Sequence, residues 1–90
     1  MKSFLLLSLS ILTSAVFAQT INTAAAFNEA GIAYYDQGNY NLAIENYNQA
    51  IILDSNFAEA YNNRGNAYGA LGNHNNALTD FNQALALPQK

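Results

Sequence analysis

The chain predicts an all-α fold: a right-handed α-solenoid of two antiparallel helix-turn-helix repeats, preceded by an N-terminal signal helix. Three observations lead there. The stretch Phe27 to Leu53 (FNEAGIAYYDQGNYNLAIENYNQAIIL) recurs thirty-four residues later as Tyr61 to Leu87 (YNNRGNAYGALGNHNNALTDFNQALAL), with no gap. In the first copy Phe27, Ala30, Gly31 and Tyr34 fall at i, i+3, i+4 and i+7, the spacing of one helix face, and Tyr61, Gly65 and Tyr68 repeat that face in the second. A Gly-Asn pair, Gly38-Asn39 and again Gly72-Asn73, punctuates the middle of each copy. A fixed period of this size marks a stacked repeat protein, in which each unit buries its apolar face only against its neighbour.

Taken in order, Met1-Lys2-Ser3 is a short positive start, followed by the apolar run FLLLSLSILTSAVF over Phe4 to Phe17. Val16 and Ala18 then place small residues at a V-x-A exit before Gln19. This reads as a secretory signal peptide over residues 1–18, cleaved near Ala18. The run falls short of the ~20 residues that span a bilayer, so contact with a membrane is expected only if the segment stays uncleaved. Residues 19–23 (QTINT) form a short polar tether, and Asn22 or Thr23 is placed to cap the helix that follows.

The first repeat occupies residues 24–57. Its first helix is expected from about Ala24 to Gln37, with Phe27, Ala30, Gly31 and Tyr34 on one face. Gly38 closes it, because glycine enters the left-handed conformation at little cost. Asn39 is expected to cap a second helix, Tyr40 to Leu53, whose inner face holds Ala43, Ile44, Tyr47, Ala50 and Ile51. Asp54-Ser55-Asn56 breaks the pattern and supplies the next cap. The second repeat, residues 58–90, repeats the plan with helices from about Ala58 to Leu71 and His74 to Leu87. Tyr61, Gly65 and Tyr68 mark its first helix and Ala77, Phe81 and Ala84 its second, and Pro88 stops the last.

The pattern Phe27-x2-Ala30-Gly31-x2-Tyr34, then Ala43-x3-Tyr47, then Ala50, resembles the tetratricopeptide repeat, and the second copy resembles it again. The resemblance implies a packing role for each of these positions. Gly31 and Ala43, like Gly65 and Ala77, sit where two helices cross. Phe27, Tyr34 and Tyr47 fill the space around the crossing, and Ala50 lets the next repeat approach. Three positions depart from the family pattern. Ala30 and Arg64 stand where leucine is usual, and Ser55 stands where proline is usual, which loosens the inter-repeat turn. Arg64 is expected to snorkel into water or pair with Glu29 or Glu59.

Function is narrowed more by exclusion than by any motif. Three basic residues face six acidic ones, a net charge of −3. Without Lys2 the balance becomes −4, so no electrostatic footprint for nucleic acid or anionic lipid is present. No cysteine occurs, which rules out disulfides and thiolate metal sites. Ser55 has no histidine near it in sequence, and His74, the only histidine, opens a helix at the position of Tyr40. No catalytic constellation follows, and neither an enzyme nor a cofactor is expected.

What remains is an exported protein-protein interaction module. In proteins of the resembled family, the first helix of each repeat lines a groove that holds a peptide or partner helix. That carries over here to Asn28, Ile32, Tyr35 and Asp36 in the first copy and Asn62, Asn66, Gly69 and Ala70 in the second. Asparagine both donates to and accepts from a peptide backbone. The alternative is a structural stack that self-associates as a homo-oligomer, or a fragment of a longer array. The second repeat leaves Leu78, Leu85 and Leu87 without a covering neighbour, and each wet side chain forgoes roughly 1.5–3 kcal/mol of burial.

Overall fold

The computed structural model describes residues 23–89; the expected signal segment and most of the tether lie outside the described residues. Four helices follow one another: α1 (Ala24–Asp36), α2 (Tyr40–Leu53), α3 (Ala58–Ala70) and α4 (His74–Ala86). No strand occurs among the described residues. α1 packs with α2 and α3 with α4 as two helix-turn-helix units, and α3 also packs on α2 and beside α1. The fold is the expected α-solenoid. Each helix boundary falls within about a residue of its expected place.

The two tight turns are built alike. Gly38 has φ 77° and Gly72 φ 82°, so both occupy the left-handed region. Asn39 N–H donates to Tyr34 O at 2.9 Å and Gly38 N–H to Tyr35 O at 2.9 Å. The same pair recurs as Asn73 to Tyr68 at 2.9 Å and Gly72 to Gly69 at 3.0 Å. This double bond satisfies carbonyls that the helix end leaves open.

Three local expectations are corrected. Asn39 and Asn73 precede α2 and α4 but make no side-chain capping bond; they contribute only their carbonyls, to Ala43 and Ala77. Each amide follows directly on a glycine turn that already commits its backbone, with ψ near 70° rather than the extended value that aims a cap. Asn56 does not cap α3 either. Instead Asp54 Oδ1 accepts from Asn56 N–H at 3.1 Å, an Asx turn that places Phe57 ahead of the helix. The inter-repeat turn is tied down despite Ser55, because Tyr61 Oη donates to Ser55 O at 3.1 Å. At the N-terminus, Thr23 Oγ1 accepts from Ala26 N–H at 3.1 Å, a side-chain cap on α1.

The core is narrow and lies between the two units. Ala43, Ile44, Tyr47 and Ala67 form its buried cluster, with Ile32, Tyr34, Tyr35, Tyr40 and Tyr68 packed against it. Small residues dominate because helices meet there almost backbone to backbone. A Cβ on Gly31 would lie 2.6 Å from Tyr47 Cδ1. One on Gly65 would lie 2.7 Å from Phe81 Cε1 and 3.2 Å from Ala77 O. The aromatic ring of the second helix thus rests on the bare backbone of the first in both repeats.

Candidate functional site

The residues expected to line a groove do not share one environment. On α1, Asn28 is only 2% exposed. Its Oδ1 accepts from Asn63 Nδ2 of α3 at 3.0 Å, so it belongs to the seam between repeats and not to an open surface. That corrects its expected place. The reason is that α3 packs beside α1 and brings Asn63 to it, which periodicity within one repeat does not encode. Ile32 and Tyr35 are half-buried against the core, and Tyr35 also meets Tyr40 edge-on at 5.1 Å between ring centroids. Asp36, Asn62, Asn66 and Ala70 are exposed and Gly69 is partly so.

The packing residues carried over from the family pattern fall as follows. Gly31, Ala43, Tyr47, Ala50, Gly65, Ala77 and Ala84 are buried. Phe27, Tyr34, Tyr61, Tyr68 and Phe81 are half-buried. Burial holds the Tyr47 phenol neutral and pushes its pKa up to about 12, with the nearby charge of Asp36 and then Tyr35 adding to the effect.

Sequence reasoning missed the strongest polar cluster. Arg64 pairs neither with Glu29 nor with Glu59. Its guanidinium grips Asp80 of α4 in a fork, Nε to Oδ2 at 2.8 Å and NH2 to Oδ1 at 2.7 Å. NH1 donates to Asn48 Oδ1 of α2 at 2.8 Å. The same group lies over the Tyr61 ring at 5.5 Å and near the Tyr68 ring at 6.0 Å. One side chain therefore ties α2, α3 and α4 together. Asp80 is 4% exposed, and its hydrogen bond is the main reason the Arg64 pKa is raised. A charge so enclosed is tolerated because it is paired and bidentate. A signal was present in the repeat register. One period earlier stand Ala30 and Asn46, so the arginine and its carboxylate appear together where both are absent from the first copy.

A concave depression of about 630 Å³ opens on the second repeat. Phe57, Ala58, Glu59 and Asn62 of the α3 end line it, with Phe81, Ala84, Leu85, Leu87 and Gln89 opposite. Asn62 thus faces this depression, as Asn28 faces α3. Leu85 is 82% exposed and Leu78 60%, while Leu87 is half-buried. His74 is exposed at the start of α4. Among the described residues no group of three or more His, Cys, Asp or Glu side chains is placed to hold a metal ion. None of the described helices is long and apolar enough to cross a membrane.

Family models described as "TPR repeat" and "Tetratricopeptide repeat" match residues 31–72 and 58–87. Among solved structures, the crystal structure of MamA is similar, with a TM-score of 0.72 and 32% identity over 83% of this chain. The match spans 43% of the MamA chain, so this chain corresponds to less than half of that protein. A search of curated proteins finds no match. Repeats of this family serve in general as scaffolds for protein partners and not as catalysts. The 34-residue register, the glycine-on-ring crossings and both family matches agree: the chain belongs to the tetratricopeptide repeat family.

Proposed function

We propose that this protein acts outside the cytoplasm as a binding module, holding an extended segment of a partner protein along α1 and α3. The observation that carries the reading is that Asp36 of α1 and Asn66 of α3 are exposed, while Ile32 and Tyr35 of α1 are half-buried against the core. Amides next to an apolar strip suit an extended peptide: they take its backbone N–H and C=O groups while its side chains rest on Ile32 and Tyr35. Export rests on the sequence of residues 1–18, with processing after Ala18.

The binding reading is tested by fluorescence anisotropy against a library of labelled peptides. Peptides that bind wild type should bind the Asn66→Ala protein about tenfold more weakly, with an unchanged thermal midpoint. Binding indifferent to Asn66, Ile32 and Asp36 substitutions would contradict it. Mass spectrometry of the protein recovered from its host tests export, since an intact Met1 would exclude cleavage.

A second reading is self-association, favoured by the apolar side chains that the second repeat leaves in water, Leu78 and Leu85 above all.

A further inference from the structure

The surface on which the first repeat receives the second recurs on the second, where no described residue covers it. In the covered copy, α3 lies on α2 with Ala60 and Ala67 fully buried, Ala67 inside the cluster of Ile44 and Tyr47. Asn63 of α3 donates to Asn28. One period later, the places of Asn28, Ile44, Tyr47 and Ile51 are held by Asn62, Leu78, Phe81 and Leu85. The order is the same: an amide, an aliphatic chain, a ring, an aliphatic chain. Ile44 is 8% exposed under α3, whereas Leu78 is 60% exposed with nothing over it among the described residues. Asn62, Phe81 and Leu85 line the 630 Å³ depression, and Leu78 is exposed outside its lining.

The complementary face recurs as well. One period before Ala60, Asn63 and Ala67 stand Ala26, Glu29 and Ala33 of α1. Methyl-sized side chains therefore occupy both slots by which α3 lies close on α2. At the third slot Glu29 offers a carboxylate acceptor to the amide of Asn62. Glu29 and Ala33 are exposed.

We propose that a second copy of this chain docks its α1 against this face, with Glu29 beside Asn62 in the depression and Ala33 over the exposed Leu78, carrying the 34-residue register from one molecule to the next. The proposal rests on the self-association reading and gives it a partner surface and a direction. The contact is heterologous: the α1 face of one molecule meets the α4 face of the next, so copies add head to tail. Two ties of the internal seam do not recur. Ala30 stands where Arg64 stands, so no clamp reaches Asn82, the counterpart of Asn48. Phe27 stands where Tyr61 stands and has no hydroxyl. The contact between copies is therefore weaker than the internal one, and association is reversible and concentration-dependent.

The test is light scattering on the full-length protein as purified from expressing cells, its N-terminus read by mass spectrometry, over a concentration series. Wild-type mass should climb past the dimer as concentration rises. Ala33→Glu and Leu85→Glu, both at exposed positions, should each stay monomeric with wild-type helicity. Mixed in equal amounts they should give a heterodimer and nothing larger, because each supplies the surface the other lacks. Adding the missing clamp with Ala30→Arg and Asn46→Asp should tighten wild-type association about tenfold, and no tightening would overturn the register. A wild-type protein that stays monomeric throughout would overturn both the proposal and the self-association reading. Association that survives Ala33→Glu but not Leu85→Glu would mean a symmetric contact between depressions; it overturns the head-to-tail geometry while leaving self-association standing.

Discussion

The two repeats share a register and a backbone plan, yet they do not share an environment. Gly31 lies under Tyr47 as Gly65 lies under Phe81, and the Gly38 and Gly72 turns are nearly superposable in φ. Away from the helix crossing they diverge. The first repeat has an aromatic corner, Tyr35 on Tyr40, where the second has Gly69 and His74. The second has the Arg64–Asp80 clamp where the first has Ala30 and Asn46. Exposure diverges for a different reason. Ile44 and Leu78 are chemically close, and what separates them is that α3 packs over Ile44 while no described helix packs over Leu78. In a repeat protein, the residues at the crossing define the unit, and the neighbour defines which of its faces are core.

That comparison can be broken at several points. The largest effect is expected from removing the two rings in turn. Tyr47→Ala should cost about 4 kcal/mol, because the ring is enclosed by both repeats. Phe81→Ala should cost about half as much, since its ring is already half in water. Urea unfolding followed by circular dichroism measures both; equal losses would mean the second repeat is as well covered as the first. For a domain this small the larger loss approaches the whole stability.

Next comes the clamp. Arg64→Ala strands the buried Asp80 carboxylate and should cost about 3 kcal/mol. Converting Asp80 to Asn in the same molecule gives the second repeat the pair already present in the first, Ala30 and Asn46. The double variant should then recover at least half of the loss. Losses that simply add would show that the two side chains are not energetically coupled.

Gly65→Val should cost about 2 kcal/mol, by forcing a side chain into the Phe81 ring and the Ala77 carbonyl. A wild-type thermal midpoint for this variant would be incompatible with the crossing described.

The smallest effect concerns pH. The Tyr47 pKa is raised to about 12 in the fold, above the ordinary value near 10 of the unfolded chain. The neutral phenol is the form the fold favours. Its contribution is therefore complete below pH 10 and is lost as pH rises from there towards 12. At pH 11, wild type should have lost about 1.4 kcal/mol more than Tyr47→Phe, relative to neutral pH. Parallel pH profiles for the two proteins would place the Tyr47 hydroxyl in contact with solvent.

Much of the fold was legible in the sequence because the features that make it are local. Glycine after a helix, proline beyond it and apolar residues at helical spacing act within a turn or two of chain, and each is repeated. The features that were not legible depend on how the elements meet. Arg64 lies sixteen residues from Asp80, across a turn, and Glu29 and Glu59 looked equally available. Asn28 has the helical phase of an outward residue, and only the packing of α3 beside α1 turns it into a seam. Asn39 and Asn73 had the right residue type for a cap, but the preceding glycine turn had already set their backbone. Of the candidate groove, the sequence supplied the positions and the amide chemistry. It did not show that Asn28 and Asn62 point toward the following repeat.

The central claim is that coverage by a neighbour, rather than residue type, separates the two repeats. Native-state hydrogen exchange, at a dilution where light scattering gives the monomer mass, tests it most directly. The backbone amides of α2 from Ala43 to Ala50 should exchange only through global unfolding, because α1 and α3 both pack on that helix. Those of α4 from Ala77 to Ala84, which among the described helices packs only on α3, should exchange through a local opening of lower free energy. Equal protection of α2 and α4 in the monomer would contradict the account.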